Sequence, residues 1–229
     1  LFCILTLSFF SSFDFCVKFT GVHDNININI KLMNNNLFEL FIVATPIGNL
    51  NDISDRAINT IKDSDVVVCE NPNHSLKLLN KLGIKKKLIS MHDYNEISVI
   101  QKVFKDLKNK KIILISDAGS PLISDPGYKL VKYCIANNIK VTSIPGPSSV
   151  IPALQLSGIP INGFSFIGFF PKSKKKMVDF INKIKESEET LVFFVSSHKI
   201  LICLNLLASE NKNKTISVSK ELTKINEKT

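Results

Sequence analysis

The 229-residue sequence has no tryptophan and five cysteines, Cys3, Cys16, Cys69, Cys134 and Cys203, none of them paired at short spacing. An odd count without Cys-x-x-Cys or a histidine cluster argues against a disulfide framework and a zinc site. Nothing else in the pattern points to a metal. Cys69 and Cys134 lie in apolar runs and read as small buried hydrophobes. A reducing compartment, taken as the cytoplasm, fits this usage. Phosphate-binding signatures are missing too. No Gly-x-Gly-x-x-Gly follows the first strand-like run, and no Gly-x-x-x-x-Gly-Lys-Ser/Thr or His-Glu-x-x-His occurs. A standard dinucleotide site, P-loop phosphoryl transfer and zinc-protease chemistry are therefore unsupported.

Long apolar runs are also lacking. Leu1 to Phe19 is rich in phenylalanine, yet Asp14 and Lys18 interrupt it. A membrane span needs about 20 nearly unbroken apolar residues. A secretory signal needs a positive start and a small-residue cleavage site, and neither is present. The expectation is no membrane partner, with residues 1–36 a leader outside the fold. Met33 reads as the native start, with residues 1–32 as upstream translation; an organelle-targeting or membrane leader is the alternative.

What is abundant is lysine. The formal charge is +9, with runs at Lys85 to Lys87, Lys108 to Lys111 and Lys172 to Lys176. Such runs form either a solvated face or a surface for a polyanion, where counterion release favours binding. An apolar fraction of 45% against 21% charged residues leaves enough material for a core.

From Leu37 onward, short β-branched runs alternate with segments of helical period, which predicts parallel strands joined by crossover helices. Strands are expected at Leu37 to Ala44, Val66 to Cys69, Leu88 to Met91, Lys111 to Ile115 and Lys140 to Ile144. Helices are expected at Asp52 to Ser64, His74 to Leu82, Ile97 to Leu107, Tyr128 to Asn137 and from near Ser148. Gly158-Ile159-Pro160 breaks the pattern and divides a lobe at 37–160 from another at 161–229. The second lobe has expected strands at Phe164 to Phe169, Thr190 to Val195 and Thr215 to Ser219. Between them lie helices at Lys172 to Glu186 and Ser197 to Leu207.

Ligands of open parallel sheets bind beyond the carboxyl ends of the strands. Three loops at such ends are unusual: Thr45-Pro46-Ile47-Gly48-Asn49-Leu50, Ser116 to Gly127, and Pro145-Gly146-Pro147-Ser148-Ser149. Glycines admit close approach, prolines stiffen the bend, and Asp117 offers a hydrogen-bond acceptor. Singly each loop is also explained as a tight turn with a serine cap.

These loops, together with His74-Ser75, Gly168-Phe169, Ser197-His198-Lys199-Ile200 and Glu221-Leu222-Thr223-Lys224, resemble the ribosomal RNA small subunit 2′-O-methyltransferase I family, a branch of the tetrapyrrole methylase superfamily. The matches keep the family's order from Leu37 to the C-terminus. The resemblance implies an α/β fold of two lobes, with a mostly parallel sheet in the first and a second, truncated α/β lobe. It implies S-adenosylmethionine in the cleft between them. Pro46, Ile47 and Gly48 would line that cleft, Asp117, Gly119, Ser120 and Ile123 would cup the methionine and ribose, and Ser148 and Ser149 would lie near the adenosine. The implied substrate is a cytidine ribose hydroxyl in the decoding region of 16S ribosomal RNA, and the implied assembly a homodimer. Where the family has Glu-Asp-Thr-Arg, this sequence has Glu70-Asn71-Pro72-Asn73. Glu70 and His74 remain there as candidate catalytic groups. A catalytically impaired relative and a methylase of tetrapyrrole-type small molecules are the competing readings.

Overall fold

Five short strands of the computed structural model stack in parallel to make the larger of two sheets. The structure describes residues 2–9, 39–106, 110–210 and 214–229. Leu37, Leu107, Lys108 and residues 10–36 of the expected leader lie outside them. The strands are β1 (Phe2–Phe9), β2 (Glu39–Val43), β3 (Val66–Cys69), β4 (Lys87–Ser90), β5 (Lys111–Ile115), β6 (Lys140–Ile144), β7 (Phe164–Phe169), β8 (Thr190–Ser196) and β9 (Lys214–Lys220). The helices are α1 (Asp55–Asp63), α2 (Pro72–Lys81), α3 (Glu96–Asp106), α4 (Tyr128–Ala136), α5 (Val150–Leu156), α6 (Lys174–Glu186) and α7 (Ile200–Glu210).

The first sheet runs β4-β3-β5-β2-β6, every adjacent pair parallel. Because successive strand side chains face opposite ways, the unbroken apolar run of β5 serves two cores. Ile112 and Leu114 pack with Val99, Val103, Leu130 and Cys134 of α3 and α4. Ile113 and Ile115 pack with Ala57, Ile61 and Leu79 of α1 and α2 on the other face. This double burial is why the sheet's strands read as continuous hydrophobic runs. Local capping follows the sequence. Ser54 Oγ accepts from Ala57 N at 3.1 Å to start α1, and Lys86 Nζ donates to the Lys62 and Ser64 carbonyls at its end. That cation closes a helix, so its run is not simply a solvated face. The amide of Leu130 in α4 donates to the buried Glu96 Oε1 at 3.0 Å, so α3 caps α4.

The second sheet runs β7-β8-β1-β9. Leu191, Phe193 and Val195 of β8 face Met177, Ile181 and Ile184 of α6 and Cys203 and Leu207 of α7. The opposite face presents Val192 to Val150, Ala153 and Leu154 of α5 and to Leu222, with Ile47, Phe166 and Phe194 packed against the cluster. This apolar joint ties the two sheets together.

One expectation is corrected here. Phe2–Phe9 does not stand outside the fold: it runs antiparallel to both β8 and β9 and fills the position between them. The charges at Asp14 and Lys18 count against a membrane span, but an eight-residue strand is complete before either is reached. The three cysteines with described side chains, Cys69, Cys134 and Cys203, are free and buried. Burial pushes the Cys134 and Cys203 thiols up to about 12, which removes them from thiolate chemistry.

Candidate active site

The carboxyl ends of β2 and β5 lie side by side at the sheet centre. The chain leaves β2 towards β3 on one side and leaves β5 towards β6 on the other, so a crevice opens between them. The loops at those ends are bound to one another. Thr45 N donates to the Gly119 carbonyl at 2.9 Å, and Gly119 N returns a bond to the Thr45 carbonyl at 3.0 Å. Gly119 has a φ of +83°, a conformation that costs a glycine little. Thr45 Oγ1 donates to the Ser116 carbonyl at 3.2 Å, and Ser116 Oγ lies 3.2 Å from the Gly119 carbonyl it can donate to. Ser120 Oγ donates to the Pro147 carbonyl at 3.2 Å, which draws in the third loop. The three loops form one rigid rim.

Below that rim is a cleft of about 970 Å³ between the two sheets, within the range of small-molecule sites. Of the residues singled out from sequence, Ile47, Glu70, Asp117, Gly119, Ser120, Ile123, Ser148 and Ser149 line it. Pro46, Gly48 and His74 are not on its wall. Gly48 faces outward to a separate recess with Thr223 and Lys224, where an added Cβ would collide with the Lys224 side chain. His74 is exposed on α2, which begins two residues earlier than its periodicity predicts. Asn71 caps that helix, its Oδ1 accepting from Asn73 N at 3.1 Å and His74 N at 3.4 Å. Pro72 takes the first helical position, where the missing N–H costs nothing. The Asn71 amide in turn donates to Asp117 Oδ1 at 3.2 Å. The altered loop is thus well built and holds Asp117.

The cleft also contains residues that sequence reasoning did not assign to the site: Asp93 and Asp125 on the first lobe, and Phe169, Lys172, Phe194, Lys220 and Lys224 on the second. Its two walls therefore differ in sign. Glu70, Asp93, Asp117 and Asp125 form a carboxylate wall, whereas the facing side carries Lys172, Lys220 and Lys224 with one carboxylate, Glu221, which pairs with Lys224 at 3.3 Å. Burial raises the Glu70 carboxyl, and the charges of Asp117 and Asp93 raise it further, while His92 opposes them. Asp125 is pushed up to about 6, by burial first and then by Glu70 and Asp117 against a Ser116 hydrogen bond. Such a cleft attracts a cationic group to one side and an anionic group to the other.

A family model described as tetrapyrrole (corrin/porphyrin) methylases matches residues 39–229. Curated relatives named ribosomal RNA small subunit methyltransferase I agree with it. The one from Buchnera aphidicola subsp. Schizaphis graminum is 42% identical over 187 residues, covering 81% of this chain and 66% of its own length. That from Halalkalibacterium halodurans is 41% identical over 81% of this chain and 64% of its own. That from Xylella fastidiosa is 41% identical, covering 81% and 69%.

The chain belongs to the tetrapyrrole methylase family, in its ribosomal RNA small subunit methyltransferase I branch.

The chain spans about two thirds of the length of these methylases, 64% to 69%. A solved structure titled as diphthine synthase shares the fold at a TM-score of 0.55 and 16% identity, covering 76% of this chain and 72% of that one. The two-lobed α/β architecture expected from the resemblance is the one observed. Among the described residues, no helix is long and apolar enough to cross a membrane.

Proposed function

We propose that this methylase uses S-adenosylmethionine to methylate the 2′-hydroxyl of a cytidine ribose in the decoding region of 16S ribosomal RNA, as a cytoplasmic homodimer. The observation that carries the reading is the two-signed cleft. A sulfonium nucleoside is cationic and suits the carboxylate wall, whereas an RNA backbone is anionic and suits the lysines facing it. Asp117, Ser120 and Ile123 would hold the amino-acid and ribose portions, with Ile47, Gly119, Ser148 and Ser149 completing the enclosure.

When bound, the cofactor supplies an electrophilic methyl group on a good leaving group. The chain's own residues have two tasks. The rigid rim fixes the angle at which a hydroxyl oxygen can approach, and positioning of this kind supplies much of a transfer reaction's acceleration. A carboxylate must also accept the hydroxyl proton as the new C–O bond forms. Glu70, whose proton affinity is raised by its surroundings, fits that role. His74 stands outside the cleft wall, which leaves Glu70 as the one of the two sequence candidates that lines it.

Calorimetric titration with S-adenosylmethionine tests the cleft. Binding by the wild type is expected, and Asp117→Ala should weaken it about ten-fold or more, the scale of a charge-assisted hydrogen bond. Absence of binding sinks the reading. Mapping 2′-O-methylation in cells lacking the endogenous activity, then complementing them with this chain, tests the reaction; cofactor binding without restored methylation would mark an inactive relative.

A further inference from the structure

Strand β7 loses register with β8 between Phe166 and Phe169, and Gly168 inside that break has a φ of +75°. Bulges of this kind re-aim a side chain and recur beside active sites. Here the re-aimed residue is Phe169. The residue is 45% exposed, although it lines the cleft. Phe194 stands 5.1 Å from it between ring centres, and Phe166 lies 5.0 Å from Phe194 in an edge-on arrangement. An aromatic ring is thus backed by Phe194, which is itself backed by Phe166, and presented to solvent within a polar cleft. Three residues on, Lys172 lines the same wall. The turn that carries it is held by Lys199, whose Nζ donates to the Pro171 and Lys172 carbonyls at 3.2 Å each. A buttressed ring beside a cation suits a stacked base next to its phosphate.

We infer that Phe169, supported by Phe194, is the stacking platform for an unpaired nucleobase of the RNA substrate, with Lys172 facing the adjoining phosphate. This rests on the function proposed above. The cofactor's adenine is the other planar base the cleft would receive, but the lysines beside Phe169 repel a sulfonium cation and attract a phosphate. Four of the cleft's five carboxylates, which suit the cofactor, are on the opposite wall, and the fifth, Glu221, is paired with Lys224.

The chain has no tryptophan, so Phe169→Trp introduces a single fluorescent reporter at the platform. Titration with a ten-nucleotide single-stranded RNA containing a central cytidine should quench it. The same RNA with an abasic central ribose should quench it weakly, and S-adenosylhomocysteine alone should leave it unchanged. Phe169→Ala should raise the KM for small-subunit RNA about ten-fold, the scale of one base–aromatic stack, with cofactor affinity retained. Phe169→Tyr should restore most of the loss. Quenching by S-adenosylhomocysteine alone, equal quenching by the abasic RNA, or an unchanged KM in the alanine variant would each overturn the platform. A wild type that binds no cofactor and transfers no methyl would instead defeat the underlying function, and the platform with it.

Discussion

Asp125 is ionised at neutral pH only against the resistance of its surroundings. Burial, then the charges of Glu70 and Asp117, bring its carboxyl to about 6 from an ordinary 3.8. A carboxyl raised in this way binds its proton more tightly in the folded state. Its contribution to stability is present below pH 3.8 and lost as pH rises through 6. Asp125→Asn should therefore raise the midpoint of thermal unfolding at pH 8, by roughly 2–4 °C if screening leaves about 1 kcal/mol of the effect. The gain should vanish near pH 4, and scanning calorimetry at both values checks the sign. An equal gain at both would assign the effect to packing instead of charge. At this scale the sequence was partly legible. Ile47, Asp117 and Ser120 follow strand ends and announce themselves through glycine and proline neighbours. Asp93 does not, and Phe169, although it follows Gly168, is not at the end of a first-sheet strand; they reach the cleft only through the order of the strands and a bulge in β7. Neither feature is written in any local run of residues.

Among elements, periodicity located nearly every strand and helix from Glu39 onward, because burial on both faces imposes long apolar runs and one-sided burial imposes helical spacing. It failed for β1. A strand is identified by the partners it pairs with, and the partners of Phe2–Phe9 lie about 200 residues away. Its backbone pairs along Leu191–Ser196 on one side and Lys214–Lys220 on the other. Deleting residues 1–32 should leave two facing rows of unpaired amides and carbonyls, a known route to association between chains. A variant starting at Met33 should then unfold at lower temperature than the 229-residue chain and scatter more light at equal concentration. An unchanged midpoint and monodisperse scattering would mean that the second sheet closes without this strand.

Across the whole molecule, a formal charge of +9 is unevenly committed. Lys86 and Lys199 hold carbonyls of the fold itself, whereas Lys172 and Lys174 to Lys176 are exposed at the start of α6 beside the cleft. If the second run is where RNA phosphates dock, association must release counterions. The logarithm of affinity should then fall linearly with the logarithm of salt concentration, at about 0.7 per single-strand phosphate contacted. Replacing Lys174, Lys175 and Lys176 with glutamine should make that slope shallower by about 2 and weaken binding uniformly across sequences. Cofactor affinity should remain as it was, since these side chains lie outside the cleft lining. Filter binding between 50 and 200 mM salt, a range over which phosphate contacts lose several orders of magnitude in affinity, reads the slope directly. A triple variant with the wild-type slope would remove the α6 lysines from the RNA path. The three lysines of the cleft wall would then carry the electrostatic attraction alone.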